Sequence, residues 1–257
     1  MTTNHFKRAI ARGERQVGIW HSLRDRAITE MLGDCGFDWL LIDCEHTPNS
    51  EADVLAALQA LSGSATEPVV RPTHLEVAEI KRLLDVGARN LLVPYVQSVE
   101  EAELAAAAVA YPPEGIRGVS TGSRASRYGA VATYFTRARE EICLIVQVET
   151  QTALDRLEEI AAVPGIDGIF IGPADLAASM GHPGNPKHPD VHEAILTGMA
   201  RIRAAGKPAG FLSRDQELLE EVVTAGGVFI AVDTDMALLR EGALGRLERC
   251  SDWKSRG

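Results

Sequence analysis

Lysine is scarce in this chain: 257 residues hold five, Lys7, Lys81, Lys187, Lys207 and Lys254. None stands at the C-terminal end of a strand-like apolar run, since Lys207 precedes one. A Schiff-base mechanism needs an amine in the pocket, so carbanion chemistry here must use another electron sink. Cysteine is also sparse. Cys35, Cys44, Cys143 and Cys250 are scattered with no CxxC spacing, and three lie in or beside apolar runs. Reduced, buried thiols in a cytoplasmic protein are expected. No GxGxxG follows any strand-like run, so a dinucleotide fingerprint is missing and no organic cofactor is implied. No apolar stretch approaches the length of a membrane span, and the opening MTTNHFKRAIARG lacks the apolar centre of a secretory signal. A formal charge of −10 argues against nucleic acid as a partner. An anionic substrate would have to meet local arginines.

What is present is a large apolar fraction, 46%, enough for a sizeable core. The length suits one (β/α)8 barrel, with residues 1–257 as its single domain. Eight strand-like runs occur in order, at 17–20, 39–43, 68–72, 91–95, 143–148, 167–171, 208–212 and 228–232. Helical patterns separate them, such as 51–61 and 77–86, and strict alternation of eight pairs favours a closed α/β TIM barrel over an open sheet. Two connections are long and rich in turn residues. The segment 111–128, YPPEGIRGVSTGSRASRY, is read as leaving the C-terminal face after the fourth strand. It carries Arg117, Arg124 and Arg127 as anion ligands, or as partners of surface acids. The other is 180–189, MGHPGNPKHP.

Two acids close consecutive apolar runs: LIVQVE ends in Glu149, and IFIGPAD reaches Asp175. Acids past neighbouring strands converge on one sheet edge, and carboxylates without cysteine suit Mg²⁺ or Mn²⁺ better than zinc. Each acid alone could instead serve a helix's first turn. The second strand ends in Asp43-Cys44-Glu45-His46. A carboxylate on the imidazole would fix the tautomer and raise the basicity of His46 as a general base. Arg71 ends the adjacent run, where a guanidinium could hold a carboxylate or a developing enolate oxygen, or pair structurally with Asp43 or Glu45. Cys44 reads as packing.

These segments resemble one family. FDWLLIDCEHTPN, VVRP, IKRLLDVGARNLLVP, GIRGV, RASRY, VQVET and GIFIGPADLAASMG, within about residues 18–239, are together similar to the metal-dependent (class II) pyruvate aldolases. That family includes 4-hydroxy-2-oxoheptanedioate aldolase and the 2-keto-3-deoxy sugar-acid aldolases. The resemblance implies a lyase that reversibly cleaves 4-hydroxy-2-oxo acids, giving pyruvate or hydroxypyruvate and an aldehyde through a metal-stabilised enolate. It implies Glu149 and Asp175 as metal ligands, for Mg²⁺ or Mn²⁺ with Co²⁺ as a third candidate. Gln147 with Gly172, Pro173, Ala174 and Asp175 would bind the oxo acid. His46 would be the base and Arg71 the transition-state cation. Trp20, Val119 and Leu212 would line the pocket, and Ser123, in the loop 120–123, would help shape the aldehyde side. The acid supporting the histidine matches Asp85, supplied by a neighbouring subunit, rather than Asp43. A homohexamer, a trimer of dimers, follows from the resemblance, with the C-terminal helix near 237–247 exchanged between subunits. Two departures stand out: Cys44 replaces a small glycine, and the STGS segment at 120–123 is slightly shorter.

Two other functions share such a barrel. An acyl-CoA lyase of the malyl-CoA or citrate-lyase β type would need a basic segment for the CoA diphosphate, for which only residues 117–127 qualify. A non-catalytic barrel binding an oxo acid would not need His46 and Arg71 together.

Overall fold

A computed structural model describes residues 3–251 and 253. Its eight strands close into one parallel barrel in chain order. They are β1 Gln16–His21, β2 Trp39–Asp43, β3 Glu67–Arg71, β4 Asn90–Val93, β5 Cys143–Val148, β6 Gly168–Ile171, β7 Ala209–Leu212 and β8 Gly227–Thr234. Every strand expected from the sequence is present. Twelve α-helices occur among the described residues: α1 His5–Ala11, α2 Arg26–Asp34, α3 Glu51–Ala60, α4 Val77–Asp85, α5 Val99–Val109, α6 Tyr134–Glu141, α7 Gln151–Asp155, α8 Leu157–Ala162, α9 Pro173–Ser179, α10 Pro189–Ala204, α11 Gln216–Ala225 and α12 Asp235–Arg249.

The period-2 alternation of strand side chains divides the core into two layers. One, including Leu40, Ile42, Val70, Val146 and Ile169, packs against the helices. The other, Trp20, Trp39, Leu41, Val69, Leu92, Ile145, Phe170, Phe229 and Ala231, fills the barrel, and Phe6 and Ile10 of α1 join it. Glycines make room for these rings: a Cβ at Gly18 would overlap Trp39, and one at Gly210 would overlap Phe229. The seven-residue α1 has no counterpart among the expected elements. Asn4 caps it by accepting from Lys7 N at 2.9 Å, and Asn4 Nδ2 donates to Asn90 Oδ1 at 2.7 Å.

One expectation is corrected. The segment 111–128 does not leave the C-terminal face, because α5 intervenes after β4 and returns the chain to the strand N-termini. Ile116 N bonds Ala107 O and Arg117 N bonds Ala110 O, which ties the segment to the end of α5. Two of its arginines are committed locally. Buried Arg117 donates to Asp85 Oδ1 at 2.9 Å, and Arg124 donates to the Val86 carbonyl at 2.9 Å. The segment 180–189 does lie at the C-terminal face, after the short α9.

Among the described residues, no helix is long and apolar enough to cross a membrane. Helix α12 differs from the others in having Asp235 as its one buried residue. Met236, Leu238, Leu239, Leu244 and Leu247 are all exposed along it.

Candidate active site

The alternation that fills the barrel also selects what its mouth presents. Continuing each inward series to the strand's C-terminal end gives Trp20, Asp43, Arg71, Gln147, Glu149, Gly172 and Leu212. Asp43 and Arg71 are register partners across β2 and β3. Their side chains meet in a fork: Arg71 Nε and Nη2 donate to the two Asp43 oxygens, each at 2.8 Å. Nη1 of Arg71 lies 2.7 Å from Glu45 Oε2, and the guanidinium stacks 4.8 Å from the Trp20 ring centroid. Burial disfavours the Arg71 charge, but Asp43, Glu45 and Glu149 outweigh it and hold its pKa above the usual value. Burial likewise opposes the charge on Asp43, and the Arg71 bonds overcome it and depress that carboxyl. The structural pairing considered for Arg71 is therefore real, with both Asp43 and Glu45. Three of five N–H groups are engaged, so two remain for a ligand.

Asp43 does not support the imidazole within this chain. Its carboxylate is spent on Arg71 and on Glu45 N at 3.0 Å, while its carbonyl accepts from Asn49 Nδ2 at 2.6 Å and from Thr47 Oγ1. His46 is 65% exposed in its side chain, with Nε2 3.7 Å from Glu45 Oε2, so the ring is free to meet a substrate or another chain. Cys44 points outward into the helix layer. Burial and the acids Glu79, Asp43 and Glu51 push its thiol up to about 12, which fits packing rather than nucleophilic attack.

Glu149 is buried at the end of β5. It accepts from Tyr95 N at 2.8 Å and from Gln147 Nε2 at 2.5 Å. Tyr95 reaches it from a left-handed backbone, φ 58°. Burial pushes the Glu149 carboxyl up to about 8. The Tyr95 bond opposes this, and the charges of Asp175 and Glu45 add to it. Asp175 lies in the first turn of α9, yet no side chain caps that helix, and α7 is capped by Thr150 rather than Glu149. Of the helix-end roles considered for these two acids, Asp175 does take the first-turn position without capping the helix, and Glu149 does not begin α7.

Glu45, Glu149 and Asp175 therefore present oxygen donors to one mouth, and the charges of Glu45 and Asp175 bear on Glu149. Beside them Gln147 Oε1 is buried with no partner. Gly172 keeps the space open: a Cβ there would overlap Glu149 Oε2 and lie 2.7 Å from Gln147 Nε2. An all-oxygen, acid-rich, sterically protected set fits a hard divalent cation. Pro173 and Ala174 follow at the start of α9, and half-buried Leu212 packs against the inner layer. Asp85, Val119 and Ser123 are not brought to this mouth. Asp85 ends α4, which runs back toward the strand N-termini, and Val119 is 62% exposed on the segment beside that helix. The sequence offered Glu45 as a partner of Arg71 but did not place it at the cation-binding mouth, although it shares the inward parity of Asp43. Nothing in the residue type signals the Tyr95 amide.

The family described as HpcH/HpaI aldolase/citrate lyase matches residues 16–242. A hydroxypyruvate/pyruvate aldolase of Sagittula stellata is 53% identical, covering 95% of this chain and 96% of its own. A 4-hydroxy-2-oxo-heptane-1,7-dioate aldolase of Klebsiella pneumoniae is 48% identical, covering 93% and 91%. Among solved structures, an HpcH/HpaI aldolase/citrate lyase family protein from Burkholderia cenocepacia superposes with a TM-score of 0.94 at 37% identity, over 97% of this chain and 100% of that one.

Proposed function

This chain belongs to the HpcH/HpaI aldolase/citrate lyase family and is an aldolase, and from that premise we propose how its mouth works. It cleaves 4-hydroxy-2-oxo acids reversibly to pyruvate, or hydroxypyruvate, and an aldehyde. Glu149 and Asp175 hold a divalent cation, Mg²⁺ or Mn²⁺, with Co²⁺ as a further candidate. The observation that carries this is the buried Glu149 carboxylate, raised by burial and by Asp175 and Glu45, beside the unpartnered Gln147 Oε1. When bound, the cation supplies Lewis acidity toward the carboxylate and keto oxygens of the oxo acid.

The chain's own groups do the rest. Gln147 and the backbone at 172–174 orient the oxo acid. His46 accepts the proton of the C4 hydroxyl as the C3–C4 bond breaks. The bond's electron pair passes to C3 and on into the enolate, and the aldehyde departs. The two spare N–H groups of Arg71 face that developing negative charge. Reprotonation at C3 gives the oxo acid. Trp20 and Leu212 bound the acceptor side from this chain. Val119 and Ser123 lie away from this mouth, and Asp85 does too, which supports their serving a neighbour's site. The exposed apolar residues of α12 support an oligomer, for which we propose a hexamer built as a trimer of dimers with this helix exchanged. Four free cysteines favour a reducing compartment, the cytoplasm. The CoA reading loses ground because Arg117 and Arg124 are already committed.

Chelation tests the proposal. EDTA should abolish cleavage and Mg²⁺ or Mn²⁺ should restore it, while borohydride with pyruvate should leave no adduct. Activity surviving thorough chelation would refute it.

A further inference from the structure

The loop between α9 and α10 and the first turn of α10 bring together three donors that the aldol chemistry does not use. His182, His188 and Asp190 present ligand atoms that all lie within 4.8 Å of one another. Asp190 Oδ2 is 3.9 Å from His182 Nε2 and 3.8 Å from His188 Nδ1. Both separations are too long for hydrogen bonds, so the two nitrogens converge on one oxygen without bonding to it. Two donors sharing an ion at about 2.0–2.2 Å sit roughly 3.4–4 Å apart, depending on the angle at the metal. The imidazoles are stacked, with centroids 3.5 Å apart and planes 11° from parallel, so their donor atoms lie side by side. Ligation requires the rings to splay and His188 Nδ1 to give up a long bond from Asp190 N at 3.3 Å.

The loop's backbone limits what this rearrangement costs. Gly181 and Gly184 take positive φ, Pro183, Pro186 and Pro189 fix others, and His182 N, Asn185 N and His188 N are bonded to Ala177, His182 and Asn185 carbonyls. Lys187, which adjoins His188 in the chain, is ion-paired with Asp215.

We propose that His182, His188 and Asp190 form a second metal site, chemically distinct from the barrel mouth. Two imidazoles and one carboxylate select borderline transition ions such as Zn²⁺, Ni²⁺ or Cu²⁺, whereas the mouth offers oxygen alone. Three protein ligands leave coordination positions for water. The ion would clip the start of α10 to the end of α9, the helix that carries Asp175. Occupancy would restrain a loop on the rim of the catalytic face.

Equilibrium dialysis against Zn²⁺ in excess Mg²⁺ tests this, with Glu149→Gln as background so that the mouth cannot account for the uptake. The Glu149→Gln protein should bind one Zn²⁺, and adding His182→Ala or Asp190→Asn should weaken it by about tenfold or more. Cu²⁺ in the same protein should show nitrogen hyperfine coupling, reduced by His188→Ala. In the otherwise native chain, His182→Ala should leave Mg²⁺-supported cleavage unchanged, which also verifies folding. No Zn²⁺ uptake by Glu149→Gln, or equal affinity after His182→Ala, would overturn the proposal.

Discussion

Gly172 and Glu149 occupy each other's only space: no side chain fits at 172 while the carboxylate holds its place. A Cβ there would overlap Glu149 Oε2 and lie 2.9 Å from the Glu149 Cβ. Gly172→Ala must therefore displace Glu149, while the backbone at 172 (φ −85°, ψ 105°) suits any residue, so the fold should hold. We expect Mn²⁺ affinity, read by paramagnetic resonance of the free ion, to fall sharply. Since a displacement near 1 Å at a reacting centre costs about 10² in rate, kcat/KM should drop by at least that order. A Gly172→Ala enzyme with native metal affinity would show that Glu149 is not the ligand.

Arg71 separates stability from catalysis. Its fork with Asp43 is buried and bidentate, so Arg71→Ala strands two carboxylates. The loss should be about 3–5 kcal/mol, the usual result of breaking one side of a buried pair. Arg71→Lys retains the charge but not the planar fork. It should fold with a modest fall in Tm yet lose about 10²–10³ in kcat. Denaturant melts and steady-state kinetics on both variants check this. Equal activity losses without a stability difference would contradict the pairing geometry.

The barrel and most of its mouth were legible because one rule, period-2 alternation from buried strands, fixes both. Once Leu41, Val69, Ile145 and Phe170 face inward, Asp43, Arg71, Gln147, Glu149 and Gly172 must follow. What was not legible has specific causes. The Ala-rich α5, with Ala102, Ala105 and Ala108 buried, has little apolar periodicity. With so weak a signal, the 111–128 segment reads as following β4 directly and so falls on the wrong face. Helix α1 is too short to show a repeat. Tyr95 adopts a conformation that its bulky side chain disfavours, so residue type points away from it. The engagement of Asp43 by Arg71, rather than His46, was open in sequence because both partners lie within reach of the same strand ends.

That Tyr95 conformation is itself testable. Its amide is aimed at Glu149 by a φ of 58°. Tyr95→Gly keeps the amide and suits the left-handed region, so metal affinity should persist and stability should hold or rise by about 1 kcal/mol. Tyr95→Val cannot adopt that backbone cheaply and should weaken Mn²⁺ binding. Calorimetric titration distinguishes the two, and identical affinities would remove the amide from the site.

Acid should release α12. Asp235 anchors its start through His21 Nδ1 at 2.6 Å and the amides of Ser22 and Leu23, each at 3.0 Å. Burial opposes its charge, but these bonds prevail and hold its pKa below the ordinary value. A depressed carboxyl contributes fully above its unfolded pKa, about 3.9, and the contribution is lost as pH falls through the folded value. The Tm gap between native and Asp235→Asn proteins should stay constant from about pH 5 to 7. It should close below about pH 4. A gap that closed near neutrality would point to another group.

The remaining question is whose histidine Asp85 serves. In one chain it pairs with Arg117, which is fully buried between Tyr111 and Tyr134, at 4.6 and 5.8 Å from their ring centroids. That clamp leaves the Asp85 side chain 24% exposed on the outer face, while His46 projects from the barrel mouth. If the two meet across a subunit boundary, His46→Ala and Asp85→Asn should each be nearly inactive alone. Subunits of the two variants, dissociated, mixed and reassembled, should regain activity. In mixed oligomers, some sites receive His46 from the Asp85→Asn chain and Asp85 from the His46→Ala chain, which restores the native pair. Random assembly should recover about a quarter of native activity, since each partner is intact in half of the chains. Mixing that restores nothing would confine the site to a single chain and leave Asp85 as an internal partner of Arg117.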